Sequence, residues 1–404
     1  MTAGTAAEQL LREAIARHRA GDHVLAEAGY LRYLADHPRS ASALHFLGLL
    51  RSHQGRNADA IPLMTQALEI DPEYVDAWSN LGIAHYQERD LEGAERCYRR
   101  AIELNPGFVN AWANLGLTLR AQDAHEQAAE AWKRALELSP NMRSVAIPFG
   151  QLLYKLGRQT EALEFYRRWH EVEPDDPIPT HMLAALGGAG RPERASDGYI
   201  RSTFDDFADS FDQSLELLRY RAPELLCEAV TRSAAAAGRG PLAVLDLGCG
   251  TGLCGPLLRP VASRLIGVDL SPKMLAKAAA RGVYDQLNCA ELTQWLATCG
   301  EKFDVAVAAD VLCYFGELRE VFGHVRQALV PEGRFAFSLE ALQGEGSGEP
   351  FLLKPHGRYQ HARSYVESTL AASGLSLVEL SEAVLRYERG EPVAGHLVIA
   401  SPAG

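Results

Sequence analysis

Prolines recur at 38, 72, 106, 140 and 174, a 34-residue spacing that governs the first 176 positions of a 404-residue chain. The same interval separates Gly48, Gly82, Gly116 and Gly150, joins Trp78 to Trp112, and spaces Ala67, Ala101 and Ala135. A fixed period of this length marks stacked supersecondary units, none of which can bury its apolar face alone. Each unit has room for two helices and a turn. The glycine lets the two helices cross closely, and the proline ends the second helix before the next unit begins. Five units follow, at 7–40, 41–74, 75–108, 109–142 and 143–176. Ala14 stands where the first glycine belongs, and Pro148 lies inside the fifth unit's first helix, where a kink is expected.

With the W-x-x-L-G core at Trp78–Gly82 and Trp112–Gly116, the array resembles the tetratricopeptide repeat. That resemblance implies a concave groove for extended peptides or helices. In similar arrays an asparagine at the position of Asn80 and Asn114 faces the groove and holds peptide backbone with its amide. Phe46 and Pro148 fill the equivalent places in neighbouring units, so the ladder is short, and both asparagines also fit as ordinary consensus residues. Pro174-Asp-Asp-Pro-Ile-Pro179 breaks the period. One more short helix over 180–187 and a glycine-rich hinge over 187–192 follow. The expected domains are a solenoid over 7–190, a helical linker or lid over 191–235, and a third region over 236–404.

The third region opens with Val244-Leu-Asp-Leu-Gly-Cys-Gly-Thr-Gly-Leu-Cys-Gly255. This reads as a short buried strand, then a glycine turn, then a helix whose free N–H groups face the turn. Glycine is expected there because a Cβ would block backbone approach to a ligand and forbid positive φ. Asp246 precedes the first glycine. A carboxylate at that mouth repels a pyrophosphate but suits an ammonium or sulfonium, which points to S-adenosylmethionine. The literal G-x-G-x-x-G over Gly250–Gly255 also fits a dinucleotide turn, with Asp269 near the expected spacing. A plain strand with ordinary turn glycines is the third alternative. Asp269 ends a second strand, ahead of a helix capped by Ser271 with Pro272 at its first position. An acid there can accept both ribose hydroxyls in either nucleotide fold.

Beyond these stretches, residues about 200–404 resemble a class I S-adenosylmethionine-dependent methyltransferase. Leu287–Leu292 resembles the third strand end, where such enzymes hold adenine with an acid and a backbone N–H, here Glu291 and Leu292. Phe303–Phe315 resembles the fourth strand and the loop facing the reactive methyl, and Gly333–Glu340 the fifth. Leu375–Leu385 and Val393–Ser401 would form the closing hairpin, one strand antiparallel to the rest. The fold class expected is therefore an all-α tetratricopeptide solenoid followed by an α/β, Rossmann-like domain with a mostly parallel seven-stranded sheet. The implied cofactor contacts are Asp246, Gly248, Cys249, Gly250, Gly252, Asp269, Leu270, Met274, Glu291, Leu292, Asp310 and Tyr220. Phe204, Phe207, Phe211, Leu215 and Leu218 recur at helical spacing. They read as a helix packed on the sheet, and in relatives such a helix also folds over the cofactor as a lid, with Tyr199, Phe204, Phe207 and Tyr220 in reach.

Methyl transfer from a sulfonium is an in-line displacement, so alignment does much of the work and a base is needed only for some acceptors. Candidate catalytic residues lie after the fourth and fifth strands. His361 is the candidate base because histidine titrates near neutral pH, although a structural role fits it as well. Asp310 and Tyr359 join it, with Tyr314 as an acceptor contact. The loop over 343–350 is expected to be mobile and to order around an acceptor. Neither an Asn/Asp-Pro-Pro-Tyr motif nor the paired glutamates of arginine methyltransferases is recognisable, and no metal is expected.

Net charge is −12 and divides evenly, with 19 basic and 25 acidic residues over 1–190 and 21 and 27 over 191–404. With no basic excess in either half, nucleic acid is a disfavoured partner. No 18-residue apolar run or apolar leader occurs, and seven cysteines without a C-x-x-C pair read as free thiols in a reducing cytoplasm. The leading expectation is methylation of a peptide or protein recruited by the repeats. The alternatives are a small-molecule or natural-product methyltransferase whose repeats serve assembly, and a cofactor-binding scaffold without turnover.

Overall fold

The computed structural model describes residues 3–188, 190, 192–236, 240–343, 348–388 and 390–404. It divides into two compact units, Met1–Ala162 and Leu163–Gly404. Two helices fall in each 34-residue period: α1 (Ala3–Arg19) and α2 (His23–Asp36), α3 (Ala41–His53) and α4 (Asn57–Ile70), α5 (Val75–Gln87) and α6 (Leu91–Leu104), α7 (Val109–Ala121) and α8 (His125–Leu138), α9 (Arg143–Lys155) and α10 (Gln159–Val172). The periodic glycines make room for one recurring side chain of the second helix. A Cβ on Gly116 would lie 2.3 Å from Trp132 Cδ1, and one on Gly82 would lie 2.7 Å from Tyr98 Cε1. Tyr30, Met64, Tyr98 and Trp132 occupy that position in successive units, and all are buried. The periodic tryptophans tie each unit to the turn before it: Trp78 Nε1 donates to the Pro72 carbonyl and Trp112 Nε1 to that of Pro106, both at 2.9 Å. Helix α9 runs continuously through Pro148, as α4 does through Pro62.

The second unit continues with α11 (Pro177–Ala185), α12 (Asp197–Phe207), α13 (Phe211–Leu217) and α14 (Ala222–Ala236). Its strands are β1 (Leu242–Leu247), β2 (Ala262–Asp269), β3 (Gln286–Cys289), β4 (Phe303–Ala308), β5 (Leu329–Ala341), β6 (Phe351–Leu353), β7 (Tyr359–His361), β8 (Leu375–Glu388) and β9 (Glu391–Pro402). Between them run α15 (Gly255–Leu258), α16 (Pro272–Ala280), α17 (Leu292–Thr298), α18 (Arg319–Ala328) and α19 (Arg363–Ala372). The strands β3-β2-β1-β4-β5 are parallel, β9 pairs antiparallel with β5, and β8 pairs with β9. Alternate residues of each strand face opposite layers. Leu245, Leu247, Ala306 and Phe337 pack with α17 and α18, while Val244, Leu265, Val305 and Val307 pack with α14.

Those seven strands are the expected set; the hairpin β6–β7 is additional. Residue Glu340 pairs with Gly395 of β9 on one edge of β5 and with Gln360 of β7 on the other. The pairing of β4 stops at Ala308↔Phe337, so β7 takes the edge of β5 that β4 leaves open. That places the hairpin directly past the C-terminal end of β4.

The helix α11, expected as the last of the solenoid, packs in the second unit. Ala184 and Ala185 cluster with Leu353 and Tyr359, and His181 Nε2 lies 2.9 Å from the Gly357 carbonyl oxygen. The expected hinge over 187–192 includes residues 189 and 191, and the expected mobile loop over 343–350 includes residues 344–347; those positions lie outside the described residues.

Candidate active site

Asp246 is the penultimate residue of β1 and Asp269 the last of the parallel β2, on either side of a turn in which Gly248, Gly250 and Gly252 all have positive φ (62°, 54° and 84°). The three glycines serve different ends. A Cβ on Gly248 would run into Val311 at 2.3 Å, and one on Gly252 would meet Tyr284 and Ala278. At Gly250 a Cβ would meet nothing within 4 Å, so only here does the turn open onto free space. Asp269 spans that opening. Its Oδ2 accepts from the Gly250 N–H at 2.9 Å and its Oδ1 from the Ser271 N–H at 2.8 Å. Burial raises its pKa, against the lowering effect of the N–H groups of Ser271, Gly250 and Leu270.

Asp246 is 1 % exposed, and Tyr284 donates to its Oδ2 at 2.6 Å. Burial pushes its carboxyl up to about 7, the Tyr284 hydrogen bond opposes that rise, and Asp269 adds to it. A buried acid poised in this way gains most from a cationic ligand group. Cys249 and Met274 are buried beside the turn, the latter within a helix capped by Ser271 Oγ. Leu270 is half-buried, and its carbonyl faces the Cys289 thiol.

Glu291 caps α17. Its Oε2 accepts from the Gln294 N–H at 2.8 Å and from the Thr293 hydroxyl at 2.5 Å, and its Oε1 lies 3.6 Å from Arg194 Nη1. Burial works to raise its pKa, but the Thr293 and Gln294 hydrogen bonds and Arg194 hold it below the usual value. Leu292 belongs to the sheet core.

Helices α12 and α13 cover the glycine turn with acids as well as aromatics. Ser271 Oγ donates to Asp205 and Thr251 Oγ1 to Asp212, both at 2.5 Å, and Arg281 meets Asp212 at 2.5 Å. Phe204 packs edge-on against Tyr314, with ring centres 5.5 Å apart, and Phe207 packs against Phe211. Tyr199 is buried, stacked on His181 at 3.8 Å. Burial first, and Asp310 next, lift the half-buried Tyr220 hydroxyl far above its ordinary value.

Asp310 follows β4 in the left-handed region, φ 57°, a strained backbone for a residue with a Cβ. Its N–H donates to Ser338 Oγ at 2.9 Å, and its Oδ2 accepts from Arg386 Nη1 at 2.7 Å. Its Oδ1 is buried and meets no hydrogen-bond donor among the described residues. Arg386, 1 % exposed, also contacts Glu340 and donates to Glu388 at 2.8 Å, and Arg358 reaches the same two glutamates.

Two catalytic candidates lie in the interior of the β6–β7 hairpin. His361, on β7, is fully buried, parallel to the Tyr365 ring at 6.0 Å and tilted against Phe351. Burial pulls its pKa down to about 4, and Tyr365 and Phe351 enclose the imidazole. Tyr359, two residues earlier on the same face, is also fully buried and donates its hydroxyl to the Pro192 carbonyl at 2.7 Å. Both anchor the hairpin. The residues missed by sequence reasoning are Tyr284, Arg281 and Arg386, none of which belongs to a motif; Asp205 and Asp212 lie in the Phe204–Asp212 stretch, but their partners were not foreseen.

In the repeat unit, Asn80 Nδ2 lies 2.9 Å from His45 Nε2, whose other nitrogen lies 2.9 Å from the Tyr74 hydroxyl. Asn114 is half-buried on α7. A cavity of about 560 Å³ runs along α6, α7 and α8, lined by Trp112, Leu115, Leu119, Gln127 and Ala131 among others; neither asparagine lines it. All seven cysteines are free thiols, and among the described residues no helix is long and apolar enough to cross a membrane.

Residues 245–335 match the family described as a methyltransferase domain, and 11–75, 53–116 and 109–142 match families of tetratricopeptide repeats. The chain is 40% identical over 92 residues to human methyltransferase-like protein 27, covering 22% of this chain and 37% of that protein. It is 30% identical over 150 residues to the bovine 18S rRNA (guanine-N(7))-methyltransferase, covering 32% and 50%. The chain thus spans half or less of the length of these curated relatives. Among solved structures, magnesium protoporphyrin IX methyltransferase from Synechocystis PCC 6803 matches with a TM-score of 0.40 at 18% identity, covering 51% of this chain and 99% of that one. The chain thus carries tetratricopeptide repeats within residues 11–142 and a methyltransferase domain that includes residues 245–335.

Proposed function

We propose that the protein transfers a methyl group from S-adenosylmethionine to a peptide or protein recruited by its repeats. One observation carries the cofactor: the buried Asp246 and the half-buried Asp269 stand at the C-terminal ends of adjacent parallel strands, on either side of a turn that opens at Gly250. Asp246 suits the ammonium of the cofactor's methionine part, and Asp269, its oxygens already set by two backbone N–H groups, suits the ribose hydroxyls. When bound, the cofactor supplies a methyl group on a sulfonium.

What remains for the chain is alignment and exclusion of water. The helices α12 and α13 close the turn through Asp205, Asp212 and Phe204. Arg386 clamps Oδ2 of Asp310, leaving Oδ1 to accept an N–H or O–H of the acceptor and turn its lone pair toward the methyl. Tyr314 and Tyr220 would wall that space. With His361 enclosed, in-line attack by an acceptor that is already nucleophilic fits this site better than base catalysis.

The acceptor reading rests on the repeats. Asn80 and Asn114, one period apart on α5 and α7, are suited to hold peptide backbone, and the acidic balance of both halves argues against a nucleic-acid acceptor. Cytoplasmic residence fits the seven free thiols.

The test incubates the full chain, and an Asp246→Asn variant, with methyl-labelled cofactor and lysate of its own host. Macromolecules are then separated from small solutes. Label in a polypeptide, absent with the variant, is expected. Label confined to small solutes would replace the acceptor reading with metabolite methylation, and no label in either fraction would leave a scaffold that binds the cofactor without turnover.

A further inference from the structure

Tyr284 lies outside every motif of the cofactor fold, on the stretch between α16 and β3, yet its side chain completes the cofactor turn. Its hydroxyl donates to Asp246 Oδ2 at 2.6 Å. Its ring occupies the room that three glycines leave. A Cβ would come within 3.0 Å of the ring from Gly252, 2.8 Å from Gly255 and 3.1 Å from Gly267. Two of these glycines belong to the turn and its following helix, and the third lies on β2, one residue before Val268. A single side chain thus packs against both sides of the turn and holds the acid at its mouth. A glycine turn has little stiffness of its own, since glycine populates many backbone conformations. A ring wedged beneath it supplies that stiffness.

We propose that Tyr284 is a positioning residue for the cofactor's ammonium: its ring fixes the glycine turn and its hydroxyl holds the Asp246 carboxylate in the orientation that a cationic group needs. The inference rests on the reading of this turn as the S-adenosylmethionine site.

Its consequence is a pH dependence of binding. The groups facing Asp246 are Tyr284 before β3, Asp269 at the end of β2, Cys249 in the turn and Cys254 beside α15. Burial raises the Asp246 carboxyl to about 7, and the Tyr284 hydroxyl is the one neighbour among these that works against the rise. A carboxyl raised in this way is partly protonated near neutrality, whereas an ammonium binds the ionised form. Binding therefore releases a proton, and affinity climbs as pH rises through that region. Without the phenol the climb moves to higher pH.

The experiment is a calorimetric titration of the full-length protein with S-adenosylhomocysteine between about pH 5.5 and about pH 8.5, a range that brackets neutrality. It is repeated for Tyr284→Phe, which keeps the ring, and for Asp246→Asn, and each protein is also titrated with adenosine, which has no ammonium. Tyr284→Phe is expected to weaken S-adenosylhomocysteine about tenfold near neutrality, the loss that accompanies one hydrogen bond to a charged group. It should shift the climb to higher pH and leave adenosine untouched. An unchanged pH profile would overturn the role of the hydroxyl, and an equal loss for adenosine would reduce Tyr284 to a packing residue. If Asp246→Asn bound S-adenosylhomocysteine as the parent protein does, the ammonium reading of Asp246 would fail with it; no binding by the parent protein would remove the cofactor reading itself.

Discussion

Arg386 places a guanidinium where almost no water reaches, and three carboxylates, those of Asp310, Glu340 and Glu388, meet it there. Removing one partner of a buried pair leaves the other charge without compensation, which costs about 3–5 kcal/mol. Glu340→Gln should lose that much in denaturant unfolding, since Glu340 is 1 % exposed and also holds Arg358. A loss below about 1 kcal/mol, the range of exposed pairs, would mean that water reaches the cluster. The pH dependence has a definite sign. Burial would raise both glutamates, but Arg358 and Arg386 hold Glu340 below its usual value and Glu388 down to about 2, against an ordinary 4.5. Their contribution is whole above that ordinary value and fades as pH falls below it, for Glu388 toward about 2. None of this could be read from the sequence. Asp310, Glu340, Arg358 and Arg386 are scattered over four segments, and a register shift between Val384 and Arg386 in β8 breaks the regular alternation just where Arg386 sits. His361 shows the same limit from the other side. Its titration range made it a candidate base, but its surroundings follow from β7 pairing along an edge of β5 that no local pattern announces.

At the scale of the element, the helices over the glycine turn were legible by half. The spacing of Phe204, Phe207 and Phe211 implied a helical face, and the structure puts Phe204 on Tyr314. The spacing gave no partner for the acids between those aromatics; Asp205 and Asp212 point to Ser271, Thr251 and Arg281. That pairing is long-range, between residues 39 to 69 positions apart, so the helical period is silent about it. These contacts are partly exposed, and a pair such as Asp212–Arg281 is worth about 0.2–1 kcal/mol. Asp212→Asn should therefore raise the release rate of S-adenosylhomocysteine by up to about fivefold, most visibly at low salt, where screening is weakest. Stopped-flow displacement measures it. A release rate that matches the parent protein at low and high salt would mean that α12 and α13 do not retain the ligand. The glycines of the turn, by contrast, were legible residue by residue, because the left-handed backbone at Gly248, Gly250 and Gly252 restricts which side chains fit there.

On the scale of the whole molecule, the 34-residue period located ten helices because stacking imposes the same register on every unit. The period says nothing about which unit a helix joins once it ends. Read from the sequence, the first domain runs to 190; by contacts the division falls at Ala162/Leu163, and α11 lies on the far side of it. The reason is in its residues. The helix is apolar for most of its nine positions, and a helix of that kind must be covered by something. The cover is the β6–β7 hairpin, through Ala184 and Ala185 on Leu353 and Tyr359, and through His181 on the Gly357 carbonyl. A truncation beginning at residue 191, placed by the sequence period, should therefore strip that cover, whereas one beginning at residue 159 keeps it. Leu353 and Tyr359 are each worth about 1.5–3 kcal/mol when fully buried, and each kcal/mol shifts Tm by about 2–4 °C in a unit of this size. The shorter chain should melt on the order of 10 °C below the longer one, with Tyr359, deprived of its packing, exposed in its near-ultraviolet signal. Equal melting temperatures would show that the hairpin stands without α11 and would return the helix to the repeats.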